Sequence, residues 1–151
     1  MKTENPMKND SVISGCGGVV FAEDKILFIR KNDKWDLPKG KIEGSETKEE
    51  TALREITEET DLIKSDLEIV EKLPTTYYYK IIAGVKRLKK TNWFFVKYTG
   101  DMNASMKSDG EEGIMECRWM GFDDLGTVYQ NTHIRIIYLM DFVNQKYQFW
   151  D

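Results

Sequence analysis

The sequence predicts an α/β fold in which strands predominate and two helices flank them. Runs of β-branched and aromatic residues, separated by glycine, asparagine and aspartate, recur along most of the chain. Two segments instead place apolar residues at helical spacing, one after residue 47 and one after residue 132. At 151 residues, the chain is long enough for a single domain with a sizeable hydrophobic core.

Two strands are predicted at the start of this domain. Residues 1–11 are polar and are expected to form a disordered leader, so that the domain runs over residues 12–151. Residues 12–22 have the composition of a strand, and the glycines within it indicate close approach of another backbone segment. After a tight turn, residues 26–30 are predicted to pair back on the first strand.

A helix is predicted to begin at Lys48. Thr47 and Glu50 have the spacing of a capping box, in which each side chain accepts a hydrogen bond from the other residue's backbone N–H. Apolar residues over 52–56 then follow with helical spacing. Before the helix, residues 31–39 are predicted to form a loop.

Most of the negative charge of the chain is concentrated around this helix. Residues 40–62 hold eight acidic and three basic side chains, a local charge of −5 in a chain whose total charge is −4. Glu55, Glu58 and Glu59 stand at i, i+3 and i+4, so their carboxylates share one face of the helix. Like charges at this spacing destabilise a helix by about 0.2–0.5 kcal/mol per pair. Both a solvated helix face and a site for Mg²⁺ or Mn²⁺ explain the pattern.

The same segment resembles the Nudix box, G-x5-E-x7-R-E-U-x-E-E-x-G-U, in which U is a bulky apolar residue. The pattern's second glycine is replaced by Asp61, which follows the predicted helix, where a left-handed backbone favours glycine and next tolerates Asp or Asn. We therefore interpret Asp61 as a variant of the helix cap. The lead-in W-D-L-P-K-G is also typical of the family. The positions that agree with the pattern are Gly40, Glu46, Arg54, Glu55, Ile56, Glu58, Glu59 and Leu62.

The resemblance implies an α/β/α sandwich with a mixed β-sheet between helices. It also implies hydrolysis of a pyrophosphate linkage in a nucleoside diphosphate derivative, with Mg²⁺ or Mn²⁺ as cofactor. Glu55 is expected to be a metal ligand or the base that takes a proton from water. Arg54 is expected to orient Glu55 or its neighbours, and Glu46 to tie the preceding loop to the helix. The implied metal ligands are the Gly40 carbonyl and the carboxylates of Glu55, Glu58 and Glu59, with Glu58 also in the catalytic set.

A strand over residues 66–72 and then a long β-hairpin over residues 75–98 are predicted next. Residues 80–90 carry cations and no acid, beside three consecutive tyrosines. Basic groups next to aromatics suit a ligand that has phosphates and a base. Core packing of the tyrosines and protection of an edge strand by the lysines are the alternatives. The expected ligand contacts are Tyr77 and Tyr79, which share a face, together with Lys86, Arg87 and Lys39 of the lead-in.

A polar loop over residues 99–113 and a strand over residues 114–122 are predicted to follow. Nudix proteins often supply a further glutamate from this region. Among Glu111, Glu112 and Glu116, we favour Glu112 as a catalytic group and Glu116 as a metal ligand. A solvated acidic loop is the alternative for each.

The chain is predicted to end in a helix over residues 133–144, capped by Thr132. His133 is the only histidine, and no second histidine or cysteine lies near it in the sequence, which argues against a zinc site.

Composition excludes several classes of protein. No run of 18 apolar residues is present, which argues against a membrane span, and the N-terminus lacks the apolar core of a signal peptide. The isolated Cys16 and Cys117 are typical of reduced core residues in a cytoplasmic protein. The mild negative charge argues against duplex nucleic acid as the main partner. The resemblance also makes a homodimer possible.

The expected substrate depends on residues outside the box. The P-K-G lead-in, the compact length and the hairpin with its lysines and tyrosines are similar to diadenosine polyphosphate hydrolases, so dinucleoside polyphosphates are the first expectation. Related branches of the family act on ADP-ribose, nucleoside triphosphates or diphosphoinositol polyphosphates. A nucleotide-binding module without catalysis is the remaining alternative, and Asp61 is its only support in the sequence.

Overall fold

The chain folds around one mixed β-sheet, seen in a computed structural model that describes residues 11–150. The leader predicted over residues 1–11 therefore lies, apart from Ser11, outside the described residues. The three α-helices in this range are α1 (Lys48–Thr60), α2 (Leu125–Tyr129) and α3 (Ile134–Tyr147). The strands within the same range are β1 (Val12–Ala22), β2 (Lys25–Lys31), β3 (Lys34–Asp36), β4 (Lys39–Lys41), β5 (Leu67–Lys72), β6 (Thr76–Ile82), β7 (Val85–Tyr98) and β8 (Ile114–Met120).

The centre of the sheet is the parallel pair β1 and β7. The two strands pair without a break, from Val12 opposite Leu88 to Phe21 opposite Lys97. The remaining pairings are antiparallel: β2 with β1, β3 and β8, β4 with β1, and β5 and β6 with β7. Strand β1 pairs with β4 near its start and with β2 only at its end. A Cβ at Gly15 would lie 2.6 Å from the Gly40 carbonyl oxygen, so the glycine-rich start of β1 lets β4 approach closely, as predicted.

Helices cover both faces of the sheet, each over its own hydrophobic core. Helix α1 packs on a face that includes Cys16, Leu27 and Phe94, whereas α3 packs on the opposite face, with Phe28 and Trp93. The absence of a Cβ at Gly18 brings α1 close to the sheet, because a Cβ there would lie 2.6 Å from the Cδ1 atom of Ile56. The expected α/β/α sandwich is confirmed.

Several predicted boundaries are wrong, and each error has a local cause. Strands β3 and β4 are three residues long, too short for a detectable alternation. Helix α2 falls between the predicted strand over residues 114–122 and the predicted final helix, in a stretch for which no helix was predicted. Thr132 does not cap α3, because its hydroxyl donates to the Trp35 carbonyl oxygen at 2.6 Å, and the cap position is His133 instead.

The two cysteines are free thiols, as predicted, with Cys16 buried and Cys117 half-buried. Burial raises the pKa of Cys117 to about 12, so this thiol stays protonated and unreactive. No helix within residues 11–150 combines the length and apolar character needed to cross a membrane.

Candidate functional site

Both ends of α1 are fixed by residues that the sequence indicated. The Glu50 backbone N–H donates to Thr47 Oγ1 and the Thr47 N–H donates to Glu50 Oε1, each at 3.1 Å, which completes the capping box. At the other end, Asp61 adopts a left-handed conformation with φ 69°, and its N–H donates to the Thr57 carbonyl at 2.9 Å. Asp61 therefore performs the backbone role of the missing glycine, and the helix keeps its expected length.

Arg54 connects the loop before α1 to the acidic face of the helix. Its Nε and Nη2 atoms donate to the two carboxylate oxygens of Glu46 at 2.6 and 2.9 Å. Its Nη1 donates to Glu55 at 2.8 Å and to Glu58 at 3.2 Å, and Nη2 also donates to the Lys41 carbonyl at 2.9 Å. The hydrogen bonds from Arg54 lower the pKa of Glu46 to about 2. The ion pair predicted for Glu46 is present, and Arg54 holds the other two carboxylates in place.

Glu55 lies directly against Gly40. A Cβ at Gly40 would overlap the carboxyl group of Glu55, so only glycine leaves room for that side chain at this point of β4. Burial raises the pKa of Glu55 above its ordinary value, although Arg54 opposes the shift. The pairing of β4 with β1 therefore places a buried, partly charge-compensated carboxylate beside the backbone of the lead-in.

Glu59 is the most deeply buried of the three carboxylates, with 1% of the residue exposed. Its Oε1 accepts a hydrogen bond from the Lys39 backbone N–H at 2.8 Å, and its Oε2 accepts one from Lys31 Nζ at 2.7 Å. Burial alone would lower the pKa of Lys31, but the negative charge of Glu59 outweighs it, and the pKa is raised. Glu59 thus ties α1 to both β4 and β2.

The carboxylates of this helix face suit a hard divalent cation. Glu55, Glu58 and Glu59 offer carboxylate oxygens on one helix face, and Mg²⁺ and Mn²⁺ prefer oxygen ligands. In the present conformation, within residues 11–150, no three acidic, histidine or cysteine side chains converge closely enough to coordinate one ion. The positive charges of Arg54 and Lys31 lie on these carboxylates instead.

A cleft of about 640 Å³ opens beside β4, on the side of the sheet that α3 covers. Gly40 lines this cleft as well as contacting Glu55, so the acidic face and the cleft adjoin. Among the described residues that line it, Asp36 is the one acid, and its carboxylate accepts a hydrogen bond from Lys39 Nζ at 2.7 Å. The cations that line it are Lys31, Lys34, Lys39, Lys41, Lys80, Lys89, Lys90 and Arg135.

The charges in the cleft are close enough to affect one another. Burial lowers the pKa of Lys89, and the nearby charges of Lys41 and Lys80 lower it further. Like charges held together in this way favour the binding of a polyanion, which relieves their repulsion. The surroundings of the cleft are thus those of a site for phosphates.

The hairpin presents a different tyrosine to the cleft from the two predicted. Tyr78 lines the cleft, and the Arg135 guanidinium stacks on it at 3.6 Å from the ring centroid. Tyr77 and Tyr79 lie on the opposite face of β6 and are 56% and 55% exposed, so the alternative of core packing is wrong for them. Lys86 lies over the Tyr79 ring at 4.5 Å. Of the predicted ligand contacts, Lys39 alone lines the cleft. Tyr77, Tyr79, Lys86 and Arg87 are not among the residues that line it.

Glu116 and Glu112, the two glutamates proposed from outside the box, lie in different surroundings from each other. Glu116 accepts hydrogen bonds from Arg30 at 3.3 Å and from Arg118 at 2.6 Å. These side chains share the sheet face of Phe28 and Met120, opposite α1, so the structure does not bring Glu116 to the other carboxylates. Glu112 is exposed, has a left-handed backbone with φ 58°, and is close enough for its charge to raise the pKa of Lys31.

Sequence reasoning missed most of the residues that line the cleft. Lys31, Lys34 and Lys41 flank the lead-in, so their position beside the box was the available signal. Arg135 gave no such signal, because its contact with Tyr78 depends on how α3 packs against the distant β6 strand.

An acidic helix face next to a cationic cleft, within an α/β/α sandwich, defines a phosphoanhydride hydrolase type of site. The chain belongs to the Nudix family, because the NUDIX domain model matches residues 13–140. The prediction of a Nudix hydrolase is confirmed.

Relatives and solved structures agree with this assignment. The chain is 29% identical over 117 residues to an RNA pyrophosphohydrolase of Erythrobacter litoralis, covering 72% of this chain and 71% of the relative. The fold is similar to that of an Ap4A hydrolase from C. elegans, with a TM-score of 0.65 and 18% identity over 86% of this chain and 94% of the other. A bifunctional NMN adenylyltransferase/ADP ribose pyrophosphatase from Francisella tularensis, complexed with AMP and a manganese ion, has a TM-score of 0.58 and 19% identity over 85% of this chain and 40% of the other.

Proposed function

We propose that this Nudix pyrophosphohydrolase hydrolyses dinucleoside polyphosphates with the help of Mg²⁺ or Mn²⁺. The observation that carries the proposal is the position of Gly40, which lies against the Glu55 carboxylate and also lines the cationic cleft. A phosphate chain in the cleft would therefore pass next to the acidic face of α1. Pyrophosphate hydrolysis needs that proximity, because water and the phosphate charges must be acted on together.

Each group on the acidic face has a proposed role. A divalent cation held by Glu55, Glu58, Glu59 and the Gly40 carbonyl would supply neutralisation of the phosphate charge and activation of water. Glu55, which lies against Gly40 at the edge of the cleft, serves as one of these ligands or as the base that takes the proton from water. Arg54 keeps Glu55 and Glu58 in position. The exposed Glu112 is a second candidate for the base.

The cleft binds the remainder of the substrate. Lys39, Lys41 and Lys89 contact the phosphate chain, since charge-assisted bonds to phosphate are the stronger class of hydrogen bond. Tyr78 and Arg135 together offer a stacking surface for a nucleobase. A dinucleoside polyphosphate carries bases at both ends of a phosphate chain, which suits a cationic cleft with an aromatic group on one wall. A cytoplasmic location and a homodimer remain predictions from the sequence.

A second candidate substrate is the 5′-polyphosphate end of an RNA chain. The similarity of the chain to bacterial RNA pyrophosphohydrolases supports it. The cleft face of β7 also supports it, because this face continues for about 14 Å from Thr91 to Arg87 at the usual rise per strand residue. Two or more nucleotides would find space along that face. An RNA substrate should then bind more tightly as its length increases from one nucleotide to four.

Release of products from a panel of substrates tests the proposed function. The panel holds diadenosine tetraphosphate, a 5′-triphosphorylated RNA tetranucleotide, ADP-ribose and a diphosphoinositol phosphate, each with Mg²⁺ or Mn²⁺. We expect metal-dependent turnover of diadenosine tetraphosphate that Glu58→Gln lowers by about 100-fold or more. Glu49→Gln is the matched control, because Glu49 lies exposed on the same helix away from Arg54. Nucleotide binding by the wild type without turnover of any substrate would instead identify a binding module.

A further inference from the structure

Lys31 is the last residue of β2 and lies between the acidic face and the cleft. Its ammonium donates to Glu59 Oε2 at 2.7 Å, yet the residue also lines the cationic cleft. The Lys31 side chain is 28% exposed, whereas that of Glu59 is 2% exposed. The ammonium group therefore reaches from the open cleft to a buried carboxylate.

The two hydrogen bonds to Glu59 differ in how easily they can be broken. The bond at Oε1 comes from the backbone N–H of Lys39, which is fixed by the pairing of β4 with β1. The bond at Oε2 comes from the end of a flexible four-carbon side chain. Arg54, the cation on the other two carboxylates, is held by Glu46 and the Lys41 carbonyl and has no such freedom.

A divalent cation on Glu59 would repel the ammonium of Lys31, since like charges a few ångströms apart interact strongly near a buried site. The side chain is partly exposed and lines the cleft, so it can then turn toward the cleft, where phosphates would bind. We propose that Lys31 is a positioning residue that holds Glu59 when no cation is bound and moves to the substrate's phosphates when a cation occupies Glu59. This inference rests on the proposed function, because it requires Glu59 to be a cation ligand.

Such an exchange links the two binding events. Binding of a cation releases Lys31 for the phosphates, and binding of phosphate draws Lys31 away from Glu59. The linkage is reciprocal, so each ligand raises the affinity for the other by the same factor. Loss of Lys31 should therefore have opposite effects on the two ligands: tighter binding of the cation alone and weaker binding of the anion.

The test measures Mn²⁺ affinity by electron paramagnetic resonance, with and without inorganic phosphate, which chelates Mn²⁺ only weakly. We expect Lys31→Met to bind Mn²⁺ at least fivefold more tightly than the wild type without phosphate, and to lose the enhancement that phosphate gives the wild type. Lys34→Met is the matched control, because Lys34 is an exposed cation of the same cleft. It should weaken phosphate binding and leave the affinity for Mn²⁺ alone unchanged.

Two further variants keep the test decisive. Lys31→Gln retains a hydrogen-bond donor for Glu59 without the charge, so it should also bind Mn²⁺ more tightly than the wild type. It replaces Lys31→Met as the test variant if Lys31→Met folds poorly. Thermal melting should show that Mn²⁺ stabilises both variants more than it stabilises the wild type. Equal or weaker Mn²⁺ binding by the folded variants would overturn the inference. If Glu59→Gln binds Mn²⁺ as well as the wild type does, the proposed metal site itself is wrong.

Discussion

Arg54 contacts Glu46, Glu55 and Glu58 and one backbone carbonyl, so one guanidinium determines the shape of the acidic face. The contacts with the three carboxylates lie within one helix and its preceding loop, and the resemblance to the Nudix box had implied them. The position of Gly40 against Glu55 is equally specific, but it depends on the pairing of β4 with β1. At this scale the family resemblance indicated the acidic face, whereas most residues of the cleft and the contacts with the sheet required the structure.

The ion pair of Glu46 with Arg54 should stabilise the fold in a pH-dependent way. The pKa of Glu46 is lowered to about 2 from an ordinary 4.5. The ion pair therefore stabilises the fold fully above about pH 4.5, and this stabilisation is lost as the pH falls toward 2. Glu46→Gln should therefore lower the urea midpoint of unfolding at pH 7, and the difference from the wild type should shrink at pH 3. The exposed Glu49→Gln serves as the control. A difference as large at pH 2.5 as at pH 7 would contradict the assignment.

Gly40→Ala should displace Glu55, because the new methyl group would overlap the buried carboxyl group. We expect a loss of about 1–3 kcal/mol in the free energy of unfolding and a fall in kcat of about 100-fold. Gly126→Ala in α2 is the control: a Cβ there meets nothing within 4 Å and should leave kcat unchanged. Chemical denaturation and turnover of diadenosine tetraphosphate measure the two effects. A Gly40→Ala variant with wild-type kcat would show that Glu55 is not involved in the chemistry.

Helix α1 was predicted to within a residue at both ends, because its capping box and left-handed cap are local interactions. Strands were located by their alternation, but alternation does not say which face of a strand meets α3. Tyr77 and Tyr79 were therefore chosen over Tyr78, the residue that faces the cleft. Glu116 was expected among the metal ligands from the family resemblance, whereas β8 directs its side chain to the other side of the sheet from α1.

Asp61→Gly tests whether the departure from the box pattern concerns only the helix end. Asp61 has φ 69°, a region in which a residue other than glycine is strained by about 1–2 kcal/mol. The substitution should raise the free energy of unfolding by about 1 kcal/mol and leave kcat unchanged. Thr47→Ala, at the other cap of α1, should lower the free energy of unfolding by about 1 kcal/mol. A large gain in kcat for Asp61→Gly would mean that the aspartate limits catalysis.

The whole molecule brings the acidic face of one helix together with cations from several separate segments of the chain. The acidic face comes from α1, whereas the cations come from β2, β3, β4, the β6–β7 hairpin and α3. No local pattern predicts that these elements enclose one cleft, because the enclosure depends on α3 packing across the sheet. The box was recognisable as a motif, and its surroundings required the tertiary structure.

Lys89→Gln should weaken substrate binding more than it affects the chemical step. Lys89 is a half-buried cation among other lysines, and a hydrogen bond from a charged group contributes about 1.5–3 kcal/mol. The KM for diadenosine tetraphosphate should rise about tenfold or more, with a smaller change in kcat, and the rise of KM with salt should become shallower. Lys97→Gln, whose side chain is exposed near the other end of β7 and away from the cleft, is the control. Equal KM values for the two variants would place the phosphates elsewhere.

Anomalous diffraction from crystals soaked with Mn²⁺ and a non-hydrolysable diadenosine polyphosphate would show directly whether the acidic face and the cleft form one site. We predict a manganese peak within ligand distance of Glu58 and Glu59, with the phosphates beside Lys39 and Lys89. Manganese away from α1, or phosphates outside the cleft while the crystal binds both ligands, would contradict the proposed site.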